Sequence, residues 1–434
     1  MALVVKNNMM AVNTLNTLNR NQSALSSSLK QVSSGMKING AVDDASGYAI
    51  SERMRVQIRS LDQDNQNTQN GNSMMKVAEG AVSSTVDILK TLKEKVINAA
   101  NDTNTDDDRA TIQKELNQSI DQINDNANIT FNGKYLVDGS HNQKVAATTT
   151  TFTNQAMSTA TVAGSALTDL KDRTGRNLNI HSQDRITISY VNQGKTMTTT
   201  FKVSTNTLTD IIGKISGAGG TATAIGANSI IGTNVAGDTV YTASGENAIS
   251  FYANGTGVAN SLGGVTFSVT DTQGNINKSA NSVLDAFTET VRAQDESQDN
   301  SMNFQIGTRA NQAIRVGMTD MRAQALGLSG SDGSTLNIST RDKANAAINV
   351  LDNAISKALD QQTTIGAVQS RLNYTSQNLI TASENVQASE STIRDVDMAR
   401  AMTNYTKNNV LMQAAQAMLA QANQSSSGVL SLLQ

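Results

Sequence analysis

Two heptad stripes, one at each end of the chain, constrain this sequence more than any other feature. Near the N-terminus Val4, Ala11, Leu18, Leu25 and Val32 recur every seven residues. A second row follows at Asn8, Leu15, Gln22, Leu29 and Met36. Near the C-terminus Met398, Tyr405, Met412 and Leu419 form one row. Ala401, Ala415, Ala422 and Val429 form the other, interrupted by Asn408. Apolar residues at this spacing define the contact seam of a coiled coil. Neither stripe has strong flanking charge; Gln, Asn and Ser dominate around both. A seam exposed on a lone helix needs a partner, and the other end of the same chain is the simplest one.

The absence of proline supports this helical reading. The 434 residues contain no Pro, where ordinary usage of about 5% would place roughly twenty. Proline breaks helix interiors and isomerises slowly. Long uninterrupted helices exclude it, and so does a need to refold quickly after export. Further helical stretches lie inside the terminal seams. Residues 46–100 carry Ile50, Met54, Leu61, Val82, Val86, Leu89 and Val96, with a pause expected at the polar run 62–72. Asp106, Asp107 and Asp108 open another helix, where acidic residues suit the dipole. They lack the spaced ligands and closing glutamate of a calcium loop. A third long helix is expected from 340 to about 387.

The middle of the chain differs. Residues 171–280 hold half of the 30 glycines. Residues 185–191 and 198–203 alternate like strands around an Asn192-Gln-Gly-Lys195 hairpin turn, and 265–270 is a third strand. Leu208 to Ile215 reads as a short helix, and Phe131-Asn-Gly-Lys134 as another turn. The fold class is therefore mainly α, a long helical coiled-coil frame built from both termini with a β-rich (α+β) inserted outer domain. The expected divisions are 1–42 and 391–434 for the coiled-coil segments, 43–139 and 304–390 for the two halves of the frame, and 140–303 for the insert.

Composition removes most chemistry. There are no cysteines, hence no thiol catalysis and no cysteine-ligated zinc. The two histidines, His141 and His181, cannot build a multi-histidine metal site. His141 reads as a loop residue and His181 as a surface or cross-strand residue. No catalytic residue, cofactor site or metal site is expected. A net charge of −3 with 7 Phe, 7 Tyr and no Trp argues against a nucleic-acid binder. No apolar run approaches the roughly 18 residues of a membrane span, and the first residues lack the apolar core of a cleaved secretory signal.

Five segments resemble bacterial flagellin, in that family's order. They are 7–22 (NNMMAVNTLNTLNRNQ), 29–51 with its LKQVSSGMKIN and DDASGYAIS motifs, and 130–134 (TFNGK). The return side supplies 304–307 (FQIG) with 325–327 (ALG), and the end supplies 419–424 (LAQANQ) through 429–433 (VLSLL). The resemblance covers 1–139 and 302–434. It implies a structural subunit of the extracellular flagellar filament, used for swimming and exported unfolded through the flagellar apparatus. Its implied partners are further copies of itself, an export chaperone, and the filament cap and hook–filament junction proteins. A filament-associated junction protein of the same export system is the alternative; the complete 43–51 motif and the intact ending favour the bulk subunit. Some members carry a peptidase in the insert, but no His-Glu-x-x-His occurs here. Some carry glycans, for which Thr148 to Thr151 and Thr196 to Thr200 offer hydroxyls.

The resemblance also points to individual residues. The C-terminal segment implies chaperone contacts at Leu411, Met412, Leu419, Val429 and Leu432, spaced for capture in a groove. Innate-immune flagellin receptors read a Leu-Gln-Arg-x-Arg-Glu-Leu pattern in many members, and residues 89–95 (LKTLKEK) match it in part. Leu89 and Glu94 match, the point charges of Lys90 and Lys93 do not reproduce a forked arginine, and Glu115 aligns with a further acidic contact. Thr91 replaces an arginine and Lys95 a leucine. Losing the fork and placing an ammonium at an apolar contact predict weakened receptor activation.

Overall fold

The computed structural model describes residues 8–215, 218–225, 230–233, 237–242 and 248–432. Val4 lies outside them, and the side chains of Val429 and Leu432 are likewise outside the described set. Helices α1 (Met9–Ser34), α2 (Ala45–Ala99) and α3 (Asp106–Ala127) open the chain. The middle runs β1 (Thr130–Phe131), β2 (Lys134–Tyr135), β3 (Thr151–Asn154), β4 (Arg185–Asn192), β5 (Lys195–Lys202), helix α4 (Leu208–Ile212), β6 (Ala218–Ile225), β7 (Ile230–Thr233), β8 (Thr239–Tyr241), β9 (Ala248–Ala253), β10 (Leu262–Thr270), helix α5 (Lys278–Leu284) and β11 (Thr288–Val291). Strands β12 (Met302–Gln305) and β13 (Ala313–Val316) precede the long helices α6 (Arg341–Arg394) and α7 (Met398–Leu432). The chain forms two compact units. One comprises 1–68, 305–312 and 374–434, the other 69–304 and 313–373.

Local chemistry sets the helix ends. Asn8 caps α1 by accepting the Ala11 N–H at 3.0 Å, and Gly35 ends it in the left-handed region at φ 70°. At α3, Thr105 and Asp108 form a reciprocal capping box, with Asp106 to Asp108 in the first turn. Helix α2 is continuous over 55 residues, so the expected pause at 62–72 does not occur. Several polar residues of that run bond to α6. Ser383 donates to Asp62 Oδ1 at 3.0 Å and Ser376 to Asn65 Oδ1 at 2.7 Å. In the second unit, Asn72 Nδ2 donates to Asn373 Oδ1 at 3.0 Å. Gly71 follows from packing: a Cβ there would stand 2.9 Å from the Phe304 ring.

The insert contains two principal sheets, ordered β10-β4-β5 and β11-β3-β9-β6. Strands β4 and β5 pair from Arg185↔Lys202 to Asn192↔Lys195, leaving Gln193 and Gly194 as the turn. Both sit at positive φ (50° and 74°), the two-residue geometry whose twist matches the strands. The insert's core includes Phe152, Phe251, Phe287 and Phe267, with successive ring centroids 5.3, 5.1 and 5.6 Å apart in that order.

Helix α6 covers the free edge of β10. Asn349 Nδ2 donates to the Val265 carbonyl at 3.1 Å, and Asn353 Nδ2 to the Gly263 carbonyl at 2.9 Å. The fit is metrical: four residues of helix and two of strand both advance roughly 6 Å. Gly264 permits the approach, since a Cβ would come within 3.0 Å of the Val350 backbone nitrogen. The edge backbone is thereby hydrogen-bonded instead of exposed, and the insert shares one compact unit with 69–139 and 313–373.

Candidate functional site: the paired terminal helices

Helices α1 and α7 run antiparallel and are tied by side-chain amides. Asn8 Nδ2 donates to the Ala422 carbonyl at 3.1 Å and Asn21 Nδ2 to the Leu411 carbonyl at 3.2 Å. Asn408 Nδ2 donates to Ser28 Oγ at 2.8 Å. On α7 the inward residues are Ala401, Ala415 and Ala422, all buried, with Tyr405, Met412 and Leu419 half-buried between them. Met398, at the first turn, is 44% exposed and lies outside this row.

Helix α1 departs from the sequence reading. Ala11, Leu18, Leu25 and Val32 face inward and are half-buried. The second inward row is Thr14, Asn21 and Ser28, one residue earlier than expected. Leu15 and Leu29 are 46% and 51% exposed. The correction has a physical cause. Asn21 and Ser28 gain hydrogen bonds across the seam, and small buried alanines on α7 let the backbones approach closely enough to make them. The displaced leucines are exposed on one flank with Gln22 between them, and Met9 and Val12 are exposed nearer the N-terminus. Helix α7 exposes Met402, Val410, Leu411 and Met418 in turn. Thus pairing of the two termini leaves apolar surface uncovered on both helices. Large apolar side chains exposed along both helices are candidates for a protein–protein contact.

At the base of the coil Arg394 organises the crossing segments. Its guanidinium is 5.3 Å above the Tyr48 ring and donates to Glu52 Oε1 at 2.7 Å. The Arg394 hydrogen bond holds the Glu52 carboxyl below its ordinary range. The Arg394 carbonyl accepts the Lys37 N–H at 2.8 Å and the Gly35 carbonyl accepts the Val396 N–H at 3.0 Å, so the two linkers bond to each other. Asp397 Oδ1 caps α7 by accepting the Ala399 N–H at 3.0 Å.

The other sequence-selected residues lie elsewhere. Leu89 is buried in the core with no exposed surface, so it supports its helix and presents nothing to a receptor. Thr91 is exposed, and its hydroxyl donates to the Asp87 carbonyl at 3.0 Å. Glu94 is exposed, Lys93 pairs with Asp352, and Lys95 Nζ lies 3.1 Å from Glu115 Oε1. The ammonium at Lys95 is therefore already met by an acid. Of the chaperone set, Leu411 is exposed while Met412 and Leu419 face α1. His141 Nδ1 lies 3.3 Å from the Asn300 carbonyl, and the His181 side chain is 79% exposed beside Asp184. Among the described residues no group of three or more His, Cys, Asp or Glu could hold a metal, and no helix is long and apolar enough to cross a membrane.

A chain whose two ends pair into one coil, and whose coil keeps apolar outer flanks, is an assembly subunit in class. Comparison with known proteins gives the family. Residues 5–142 match the bacterial flagellin N-terminal helical region and 348–433 match the bacterial flagellin C-terminal helical region. A flagellin of Clostridium tyrobutyricum is 36% identical over 97% of this chain and 99% of its own. A flagellin of Bacillus subtilis is 31% identical over 99% of both. The solved structure of FliC from Burkholderia pseudomallei covers 69% of this chain and 99% of its own at 21% identity, with a TM-score of 0.27; that likeness carries no part of the assignment. The chain belongs to the bacterial flagellin family, and it is a structural subunit of the flagellar filament.

Proposed function

We propose that the α1–α7 coil is the element through which copies of this chain polymerise, and that its outer apolar ribs are the contacts between copies. The observation that carries this reading is the exposure of Leu15, Leu29, Val410, Leu411 and Met418 after the termini have paired. A seam of Ala, Asn, Ser and half-buried leucine is marginal by itself. Packing against neighbours offsets the entropy of ordering it. The α1 and α7 segments of the free subunit are accordingly disordered and fold on assembly. A contact that joins different faces and does not close generates a helical polymer.

The chain divides in function as 1–42 and 391–434 for the inner coil, 43–139 and 304–390 for the frame, and 140–303 for surface display. It leaves the cell unfolded through the flagellar export apparatus. An export chaperone holds the C-terminal segment through Leu411, Met412, Leu419, Val429 and Leu432. Met412 and Leu419 face α1 once the coil forms, so chaperone binding and coil formation exclude each other. Filament cap and hook–filament junction proteins complete the partners. The host flagellin receptor is engaged weakly, because Thr91 supplies no fork and Lys95, paired with Glu115, puts a polar side chain where an apolar contact is expected.

Truncation tests the reading. Removal of 1–30 or of 400–434 yields a soluble subunit with its middle folded and no polymer, and the second deletion also abolishes chaperone binding. Filaments from either truncated chain would refute the role of the coil, and retained chaperone binding would refute the docking assignment.

A further inference from the structure

A cavity of about 680 Å³ lies between the insert and helix α6, lined by Glu289, Arg292 and Gln294 on one side and by Lys357, Asp360 and Gln361 on the other. Two buried polar side chains, Lys357 and Gln294, and the largely covered carboxyl of Glu289 face it without bonding to one another. The Glu289 side chain is 13% exposed, and its ion-pair contact is Arg292 Nε at 3.6 Å. The same guanidinium reaches across to Asp360 Oδ2 at 2.5 Å and Ser356 Oγ at 3.0 Å on α6. Lys357 is 8% exposed and donates to the Ala325 carbonyl. Gln294 is 6% exposed, and its Oε1 has no hydrogen-bond partner. Arg315 and Arg371 complete the charged lining, while Asp320 and Asp295 act on Lys357 from further away.

We propose that this cavity is a proton-controlled fastener between the insert and α6. A protonated Glu289 rests in the cavity and keeps β11 against the helix; an ionised Glu289 draws water in and loosens the contact. The geometry supplies the reason. A buried carboxylate needs several donors, and here a single guanidinium, shared with Asp360 and Ser356, stands at 3.6 Å. Burial accordingly pushes the Glu289 carboxyl up to about 7, against the opposing pull of Arg292 and Lys357.

The direction follows from proton linkage. The Glu289 acid binds its proton more tightly folded than at its ordinary 4.5. Its contribution is complete below about 4.5 and is lost as pH rises through about 7. Burial lowers the Lys357 ammonium from 10.5, and its effect has the opposite sign: present above the ordinary value and lost as pH falls through the lowered one. Removing the Glu289 carboxyl isolates its share of the slope.

The test is hydrogen exchange of the assembled full chain, read on peptides covering 286–294 and 353–361 and corrected for the intrinsic pH dependence of exchange. Between pH 6 and pH 8 opening of this contact rises about tenfold in the native chain, and Glu289→Gln removes the rise. A native chain without the rise, or a variant that keeps it, overturns the proposal. Should Glu289→Gln fail to fold, a carboxyl-carbon NMR titration of the native monomer decides. A glutamate midpoint near 7 supports the fastener, and midpoints all in the ordinary carboxylate range overturn it.

Discussion

Replacing Leu15 and Leu29 together with alanine separates the outer rib from the inner seam. Both changes keep a strong helix former, and neither removes an inward residue of α1. The leucines are 46% and 51% exposed after the termini pair. Full burial of a leucine side chain stabilises by about 1.5–3 kcal/mol, so covering the remaining half contributes about 1 kcal/mol each. The pair then contributes about 2 kcal/mol to each copy's addition to the polymer, and its loss raises the critical concentration about thirtyfold. The assay is sedimentation of seeded subunit over a concentration series, with thermal unfolding of the monomer as control. Melting of the folded middle stays unchanged. An unchanged critical concentration would refute the assignment of the rib to contacts between copies.

Other perturbations address separate parts of the account. Joining Gly139 to Phe304 through a short linker leaves a chain that still polymerises but melts lower, because Val350 loses its cover from Gly263 and Gly264; failure to form any filament would place the insert within the assembly contacts. Ala415→Leu with Ala422→Leu overpacks the buried small row, costing about 1–3 kcal/mol per site, and locks the filament in one supercoil; unchanged polymorphism in electron micrographs would contradict this. Thr91→Arg with Lys95→Leu raises potency in a flagellin-receptor reporter assay on monomer, and equal potency of native and variant chains would sink the receptor reading.

Much of the frame was legible because its signal is periodic and local. The α7 rows follow directly from Ala401 to Ala422 at heptad spacing, and the β4–β5 hairpin from Gln193-Gly194 between alternating residues. The second α1 row was misplaced because hydrophobicity favoured Leu15 and Leu29 over Asn21 and Ser28. Nothing local reveals that Leu411 and Asn408, nearly the whole chain away, supply hydrogen-bond partners for the polar row. The polar run 62–72 misled for the same reason, since Ser376 and Ser383 satisfy it from α6. The order of the insert's sheets and the cavity holding Glu289 and Lys357 arise from contacts distant in sequence, and neither left a local pattern to read.

The native chain has no cysteine, which makes the central claim directly measurable. Single variants Leu15→Cys and Met418→Cys, each assembled into filaments, are reacted with a small maleimide before and after polymerisation. If the outer ribs join neighbouring copies, both thiols react readily in the monomer and are strongly protected in the filament. Thiols that remain as reactive in the filament as in the monomer would contradict the claim that copies meet through these flanks.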